Sequence, residues 1–387
     1  MLRSNDYDVV VVGAGPSGAN CARFAAAAGL RVLLIDKKAE LGVPTECSGA
    51  VSARALVDSG VPIADEFIVT AIAGFLTYSN EGTPWRIDYR ELAGRQTIGY
   101  VVDRRRLDTF VAGLAADAGA ELALRTELEG VSRVDPAHVE TGWTLRGRHL
   151  GLPFAIHTQV LVAADGVGSR IAKWVRVNST LPLHEAASCI QYEMTNVATD
   201  RLLELVVGQD HAPGGYVWIF PTAPGRAKVG LGVVKTMTRQ PPGWYLERFI
   251  ESSFMHDRFK QARILEVSIG TVPLARPLLT PYADGVLFIG DAGRHVNSLT
   301  GGGIHTALQS GRIAGESLAA LWAAGDYSKQ GLAAWGCAYE QQMGAGLRAV
   351  YELKTAVFCV TDPVAQNAQL FELLGGYFRP DSAHRKR

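Results

Sequence analysis

The chain has 387 residues, 38 basic and 38 acidic, with no net charge at neutral pH. That balance argues against a general nucleic-acid binder, and the length allows two interlocked domains around a large core. No uninterrupted apolar run reaches about 18 residues, so no membrane span is expected. The cysteines (Cys21, Cys47, Cys189, Cys337, Cys359) show neither metal-ligand nor disulfide spacing. They point to a reducing cytoplasm and to no bound metal. The first strand starts within a few residues of Met1, so no signal peptide is expected.

Residues 9–12 are a β-branched apolar run, as in a buried parallel strand. Gly13, Gly15 and Gly18 then spell G-x-G-x-x-G at a strand-to-helix turn. The first glycine permits the tight turn, the second lets the backbone approach a pyrophosphate, and the third lets helix and strand pack closely. An alanine-rich helix follows over 19–28, with a second strand over 32–35. Asp36 ends that strand, where a carboxylate accepts hydrogen bonds from a ribose. The helix N-terminus offers free N–H groups to phosphate.

Further along, a loop over 37–48 carries Cys47, and a short helix is expected over 51–59. A strand is expected over 71–78, and Leu107, Phe110, Val111 and Leu114 fit a helix within 100–118. Residues 121–134 and 142–145 read as hairpin strands. Residues 159–164 are a strand running into an Asp165-Gly166 turn. Segments 188–196, 203–207, 215–220 and 227–234 are β-rich with turns between them, as in an antiparallel sheet. A helix over 244–259 and a strand over 266–272 follow. Residues 285–291 form a strand ending in Gly290-Asp291, and Thr300-Gly-Gly-Gly303 opens a long helix through Trp322. From 331 the pattern is helical, and the polar, basic tail 381–387 is expected to fray.

The G-x-G-x-x-G unit, the Asp165-Gly166 turn and Gly290-Asp291 before a glycine-rich helix start together resemble FAD enzymes of the para-hydroxybenzoate hydroxylase-like superfamily. The segment Gly42-Val-Pro-Thr-Glu-Cys47-Ser-Gly-Ala-Val-Ser52 is similar to the cysteine loop of geranylgeranyl reductases. Pro213-Gly-Gly-Tyr216-Val-Trp218-Ile-Phe220-Pro221 matches that family's P-x-x-Y-x-W-x-F-P signature, and residues 290–304 match its flavin segment. The resemblance covers the chain to about residue 325.

The resemblance implies an α/β fold: a Rossmann-like FAD-binding domain, an inserted antiparallel substrate domain and C-terminal helices. The corresponding boundaries are 1–75, 100–180 and 275–330 for the FAD domain, 76–99 for a substrate-domain excursion, 181–274 for the antiparallel domain and 331–387 for the helical segment. It implies FAD contacts at Gly13, Gly15, Ser17, Gly18, Asp36, Cys47, Ser48, Ala50, Arg104, Val131, Asp291, Gly303 and Ile304. It implies saturation of carbon–carbon double bonds in geranylgeranyl chains of lipids or diphosphates, by hydride from reduced FAD and a proton from a nearby acid. NAD(P)H or ferredoxin are the candidate electron donors. A long apolar substrate implies a cytoplasmic enzyme with peripheral contact at the inner face of the membrane.

Tyr216, Trp218 and Phe220 alternate along one strand, so their rings share a face. That face suits the wall of an isoprenoid pocket, and equally an aromatic core stripe. Cys47 and His295 are the candidate catalytic groups. Cys47 has three functional readings (packing on the flavin, gating the pocket, proton delivery) beside that of a buried structural thiol. His295 is a proton donor or a supporting residue. Where the family has glutamate, cysteine-glycine and proline, this chain has Asp36, Cys47-Ser48 and Ser298. The competing expectation is an FAD-dependent hydroxylase of an aromatic or polyketide substrate, or a halogenase. A halogenase would carry W-x-W-x-I-P where this chain has Tyr216-Val-Trp218-Ile-Phe220-Pro221.

Overall fold

A computed structural model describes residues 2–135 and 137–379. The tail 381–387 lies outside the described residues. Val9 and Val11 pack with Ala19, Ala22 and Ala25 of the helix Pro16–Ala27, while Val10 joins Leu33, Ile35 and Phe288 on the opposite face. Burial on both faces is what a continuous apolar strand requires. The strand Asp6–Val12 lies in an eight-stranded sheet, parallel to Leu152–Ala163 on one side and Val32–Ile35 on the other. Val286–Phe288 and Glu121–Ala123 extend the parallel array outward. Thr126–Asp135 and His138–His149 hang from Leu152–Ala163 as antiparallel strands.

The second sheet has seven strands, in the order Arg263–Pro273, Ala186–Thr195, Arg226–Val234, Tyr216–Ala223, Leu202–Val207, Gly74–Tyr78 and Pro84–Asp88. Pairing is antiparallel except where Leu202–Val207 meets Gly74–Tyr78. Leu246 and Phe249 of the helix Pro242–Ser252 cover one face, packing on Val217, Ile219 and Leu231. A small sheet of Ala50–Ser52, Gly99–Val102 and Ile68–Ile72 lies between the two large ones in the chain path.

Several elements differ from the sequence expectation for identifiable reasons. The helix expected over 51–59 starts only at Ala53, because Ala50–Ser52 pairs with Gly99–Val102 and Ser52 Oγ caps the helix by accepting from Ala55 N. The strand expected over 71–78 is two strands. Ala73 breaks it by bonding to Arg201 and Tyr89, so Ile68–Ile72 and Gly74–Tyr78 enter different sheets. The helix expected over 244–259 is split into Pro242–Ser252 and His256–Phe259, with Ser253 extended and its Oγ accepting from Met255 N. The hairpin around residue 150 is longer than expected, running over His138–His149 and Leu152–Ala163 with an exposed turn at Leu150-Gly151.

The C-terminal helix Pro363–Tyr377 returns to the outer strands of the second sheet. Phe378 stacks on Phe75 with ring centroids 3.9 Å apart and planes 14° apart. The Tyr89 hydroxyl donates to the Phe378 carbonyl at 2.7 Å, and Phe371 meets Trp85 edge to face at 5.7 Å. No helix among the described residues is long and apolar enough to cross a membrane.

Candidate active site

The glycine turn is built by exclusion. A Cβ on Gly13, whose φ is +105°, would stand 2.2 Å from the Ala164 carbonyl oxygen, and one on Gly18 would stand 1.9 Å from that of Gly13. Gly15 is different, since a Cβ there would meet nothing within 4 Å. Open space therefore lies against the start of Pro16–Ala27, which has no side-chain cap, so its first N–H groups are free for a phosphate. Asp36 accepts the Ala14 N–H on Oδ2 and the Lys38 N–H on Oδ1, both at 2.8 Å, which fixes its carboxylate at the strand end. Asp165 Oδ2 accepts from Arg170 N at 2.8 Å, while its Oδ1 is buried with no partner.

The long helix Ile304–Ala324 packs directly on Pro16–Ala27. A Cβ on Gly311 would lie 2.2 Å from the Ser17 carbonyl oxygen, and one on Gly315 would lie 2.6 Å from that of Cys21. Ser17 thus faces Gly311 and Cys21 faces Gly315, so the helices run parallel and present their positive ends to the same side. Gly290 sits against Ser17, and Asp291 lies opposite Gly303. Burial raises the Asp291 carboxyl, with Arg104 acting against it. Arg104 itself holds Asp108 through Nε at 3.1 Å and Nη2 at 3.0 Å. Burial opposes the Arg104 charge, yet Asp108 and Cys47 beside it more than offset that and push its pKa up. The open cradle at Gly15, the orphaned Asp165 oxygen and two convergent helix N-termini fit FAD, a long dianionic cofactor.

A cavity of about 1040 Å³ opens beside these groups. Cys47, Ser48 and Ala50 line it from the first domain, and residues 297–305 line it from the loop and helix start. Tyr216, Trp218 and Phe220 line it from the second sheet. The Trp218 ring lies over Gly230, where a Cβ would come within 2.6 Å of it, and its Nε1 donates to Gln191 Oε1 at 3.0 Å. Tyr216 packs edge to face on Trp218 at 6.2 Å, and its hydroxyl donates to the Thr300 carbonyl. The row is also part of a core, shared with Phe75, Leu203, Leu205 and Phe378. Pocket wall and core stripe are here the same residues.

Cys47 is half-buried and its Sγ accepts the Gly49 N–H at 3.4 Å. Lys228 Nζ, from the second sheet, donates to the Cys47 carbonyl at 3.2 Å. Cys189 also lines the cavity, with burial pushing its thiol up to about 12.

Two expected residues lie elsewhere. Val131 packs with Leu128, Trp143 and Leu145 on the sheet face away from the nucleotide helix. The contact with the Asp36 loop comes instead from the start of that strand, where Thr126 N donates to Asp36 O and Arg125 N to Lys38 O. His295 is fully buried outside the cavity, stacked on Tyr339 at 4.5 Å, with neither ring nitrogen bonded. Burial pushes it down to about 3, so it is a neutral ring without access to the cavity. The histidine that lines the cavity is His305, at the second position of Ile304–Ala324, pushed down by burial to about 4. Its place directly after Gly303-Ile304 was the available sequence signal.

Two outcomes follow. Gly15→Val should leave the melting temperature nearly unchanged and abolish flavin retention, whereas Gly18→Ala should unfold the nucleotide unit; absorbance and a melting curve separate the two. The unfolded chain protonates His295 and His305 from about pH 6.5 downward, but the fold resists this until about pH 3 and about pH 4. Stability is therefore fully present above about pH 6.5 and lost as pH falls toward those values. His295→Leu should flatten the slope of melting temperature between about pH 6.5 and 4.

The model for the geranylgeranyl reductase catalytic domain matches residues 185–272, and that for FAD dependent oxidoreductases matches residues 8–200. A digeranylgeranylglycerophospholipid reductase of Methanocella arvoryzae is 35% identical over 362 residues, covering 92% of this chain and 89% of that protein. One from Methanocaldococcus jannaschii is 38% identical, covering 86% and 82%. The crystal structure of a geranylgeranyl bacteriochlorophyll reductase-like protein from Thermoplasma acidophilum superposes with a TM-score of 0.84 at 26% identity, covering 98% of each chain. The chondrochloren halogenase CndH, at 18% identity and a TM-score of 0.73 over 98% of this chain and 92% of that one, shares the fold. With its cofactor cradle, its aromatic cavity and these relatives, the chain belongs to the geranylgeranyl reductase family of FAD-dependent oxidoreductases.

Proposed function

We propose that this protein saturates double bonds of geranylgeranyl chains carried on a glycerophospholipid, meeting its substrate at a membrane surface. The observation that carries this is a cavity lined by both the flavin-binding loop and an aromatic and aliphatic wall. The names of the relatives support the reductase reading over the hydroxylase and halogenase alternatives, since the halogenase likeness is one of fold.

When bound, FAD in its reduced form supplies the hydride. The chain's own part is to make an unactivated alkene reactive. Tyr216, Trp218 and Phe220 hold the chain and exclude water, which fixes the distance and orientation of the reacting carbons. The parallel positive ends of Pro16–Ala27 and Ile304–Ala324, with Arg104, favour negative charge on the cofactor side. Cys47 holds the proton at Sγ. The Gly49 N–H and the Arg104 guanidinium lie beside that sulfur.

The deciding test is anaerobic incubation with dithionite and a geranylgeranylated glycerophospholipid, read as added hydrogen in the product mass. An unchanged lipid would overturn the reading. Trp218→Ala removes a wall worth about 2–4 kcal/mol of contact; flavin should stay and the number of saturated bonds should change. Loss of flavin and stability together, with the same product pattern, would mean the ring is core alone. Cys47→Ser should keep the flavin and lower turnover by about 10²-fold or more; wild-type turnover would remove Cys47 as the proton source.

A further inference from the structure

Lys228 stands directly across from Phe220 in the second sheet and is only 8% exposed. Its Nζ donates to the Cys47 carbonyl at 3.2 Å. One neutral acceptor leaves the charge and the other N–H groups unmatched, which is costly away from water. A second cavity, of about 280 Å³, lies against this side chain, lined also by Arg104, Thr222, Arg226, Glu193 and Glu266. Thr222 is 7% exposed, and its Oγ1 is buried with no partner. Arg104 is paired with Asp108, whereas among the described residues Lys228, Arg226, Glu193 and Glu266 enter no ion pair. The cavity therefore presents two cations and two carboxylates that no ion pair joins.

Strand register orders these groups. Trp218, Gly230, Gln191 and Ser268 stand side by side across four strands, and Phe220, Lys228, Glu193 and Glu266 form the next row on the same face. Two residues along a strand separate the rows by about 7 Å, roughly the length of a glycerol phosphate. Gln191 and Ser268 line both cavities. The Gln191 amide is held there, accepting from Trp218 Nε1 at 3.0 Å and donating to Ser268 Oγ at 3.3 Å. The aromatic cavity and the charged one thus share a wall. Along the charged row the sign changes outward, from buried Lys228 to half-buried Glu193 and then to Glu266 on the exposed edge strand.

We infer that the second cavity seats the headgroup of the lipid substrate, and that this headgroup is a phosphodiester bearing an ammonium group. The inference rests on the glycerophospholipid reading above. Lys228 and the Thr222 hydroxyl hold the phosphate oxygens, and Arg226 adds positive charge at the exposed rim. Glu193 and Glu266 hold the ammonium. The two cations and two carboxylates cancel, so a neutral zwitterion matches the cavity, whereas a bare phosphate dianion would face both carboxylates. With the headgroup in this row, the Gln191–Ser268 wall lies at the glycerol and the apolar chains reach the aromatic cavity.

Calorimetric titration of the flavin-loaded full chain with dihexanoyl phospholipids, kept below micelle formation, tests it. The three probes carry phosphoethanolamine, phosphoglycerol and phosphate monoester headgroups. The native protein should bind the phosphoethanolamine lipid tightest, by about tenfold over the other two. Lys228→Met should weaken binding of all three by about tenfold or more, and Thr222→Val should weaken all three by less. Glu193→Gln combined with Glu266→Gln should erase the preference for ethanolamine by tightening the other two. Melting curves and flavin absorbance identify which variants keep the fold, and the threonine and glutamate variants carry the test if Lys228→Met does not. Equal binding of the three headgroups by the native protein would overturn the site, as would a preference that survives in the folded glutamate variant. If headgroups are discriminated as expected but the geranylgeranylated lipid stays unreduced under dithionite, the proposed reaction fails and the headgroup site stands. If that lipid is reduced and the headgroups bind alike, the headgroup site fails and the reaction stands.

Discussion

Two helices touching at backbone distance are the constraint on which the remaining structure depends. Pro16–Ala27 and Ile304–Ala324 come from opposite ends of the chain, and Gly311 and Gly315 leave no side chain between them and the Ser17 and Cys21 carbonyls. Asn20 adds a buried link, donating to Leu308 O at 2.8 Å and to Ser59 O at 3.0 Å. This contact forces the helices parallel and in register. It brings Gly290 against Ser17, and so carries Asp291 and the loop 297–303 to the same place as the Gly13–Gly18 turn. A side chain at either glycine would push the helices apart and separate the two halves of the cofactor site.

The second sheet is joined to this unit by polar ties to main chain. Tyr216 bonds the Thr300 carbonyl, and Lys228 bonds the Cys47 carbonyl. Each tie reaches main chain in a loop that lines the cavity, so the sheet positions the loops directly. Because the same sheet face carries Trp218 and Phe220, the surface proposed to hold an apolar chain also holds loops that line the cavity. Packing and function are coupled at these residues, and variants there must be read with stability and flavin content side by side.

His295 and His305 are kept neutral by burial, and burial raises Cys189 and Tyr216. Arg104 is a half-buried cation, held by Asp108 and adjacent to both Cys47 and Asp291. Its bidentate pair with Asp108 fixes the guanidinium in place. Such a site suits a reaction in which one proton and one hydride are delivered to an apolar bond.

Local chemistry made the cofactor half readable from sequence. The glycine spacing, the β-branched strand and Asp36 act over a span of about thirty residues, where steric demands leave a direct mark on residue choice. The alternation of Tyr216, Trp218 and Phe220 likewise declared a shared face, because strand geometry has a strict period of two. What that face meets was beyond local reading, since core and pocket wall ask for the same residues until the opposite surface is known. Tertiary structure alone decided that His305 and not His295 reaches the cavity, because the loop over 296–303 separates a lining ring from one stacked on Tyr339. It alone decided that Thr126 and not Val131 meets the Asp36 loop, and that Leu370 and Tyr377 of the C-terminal helix line the cavity. These are contacts between residues far apart in the chain, and their partners are chosen by packing, which leaves no periodic or spacing signal in the residues themselves.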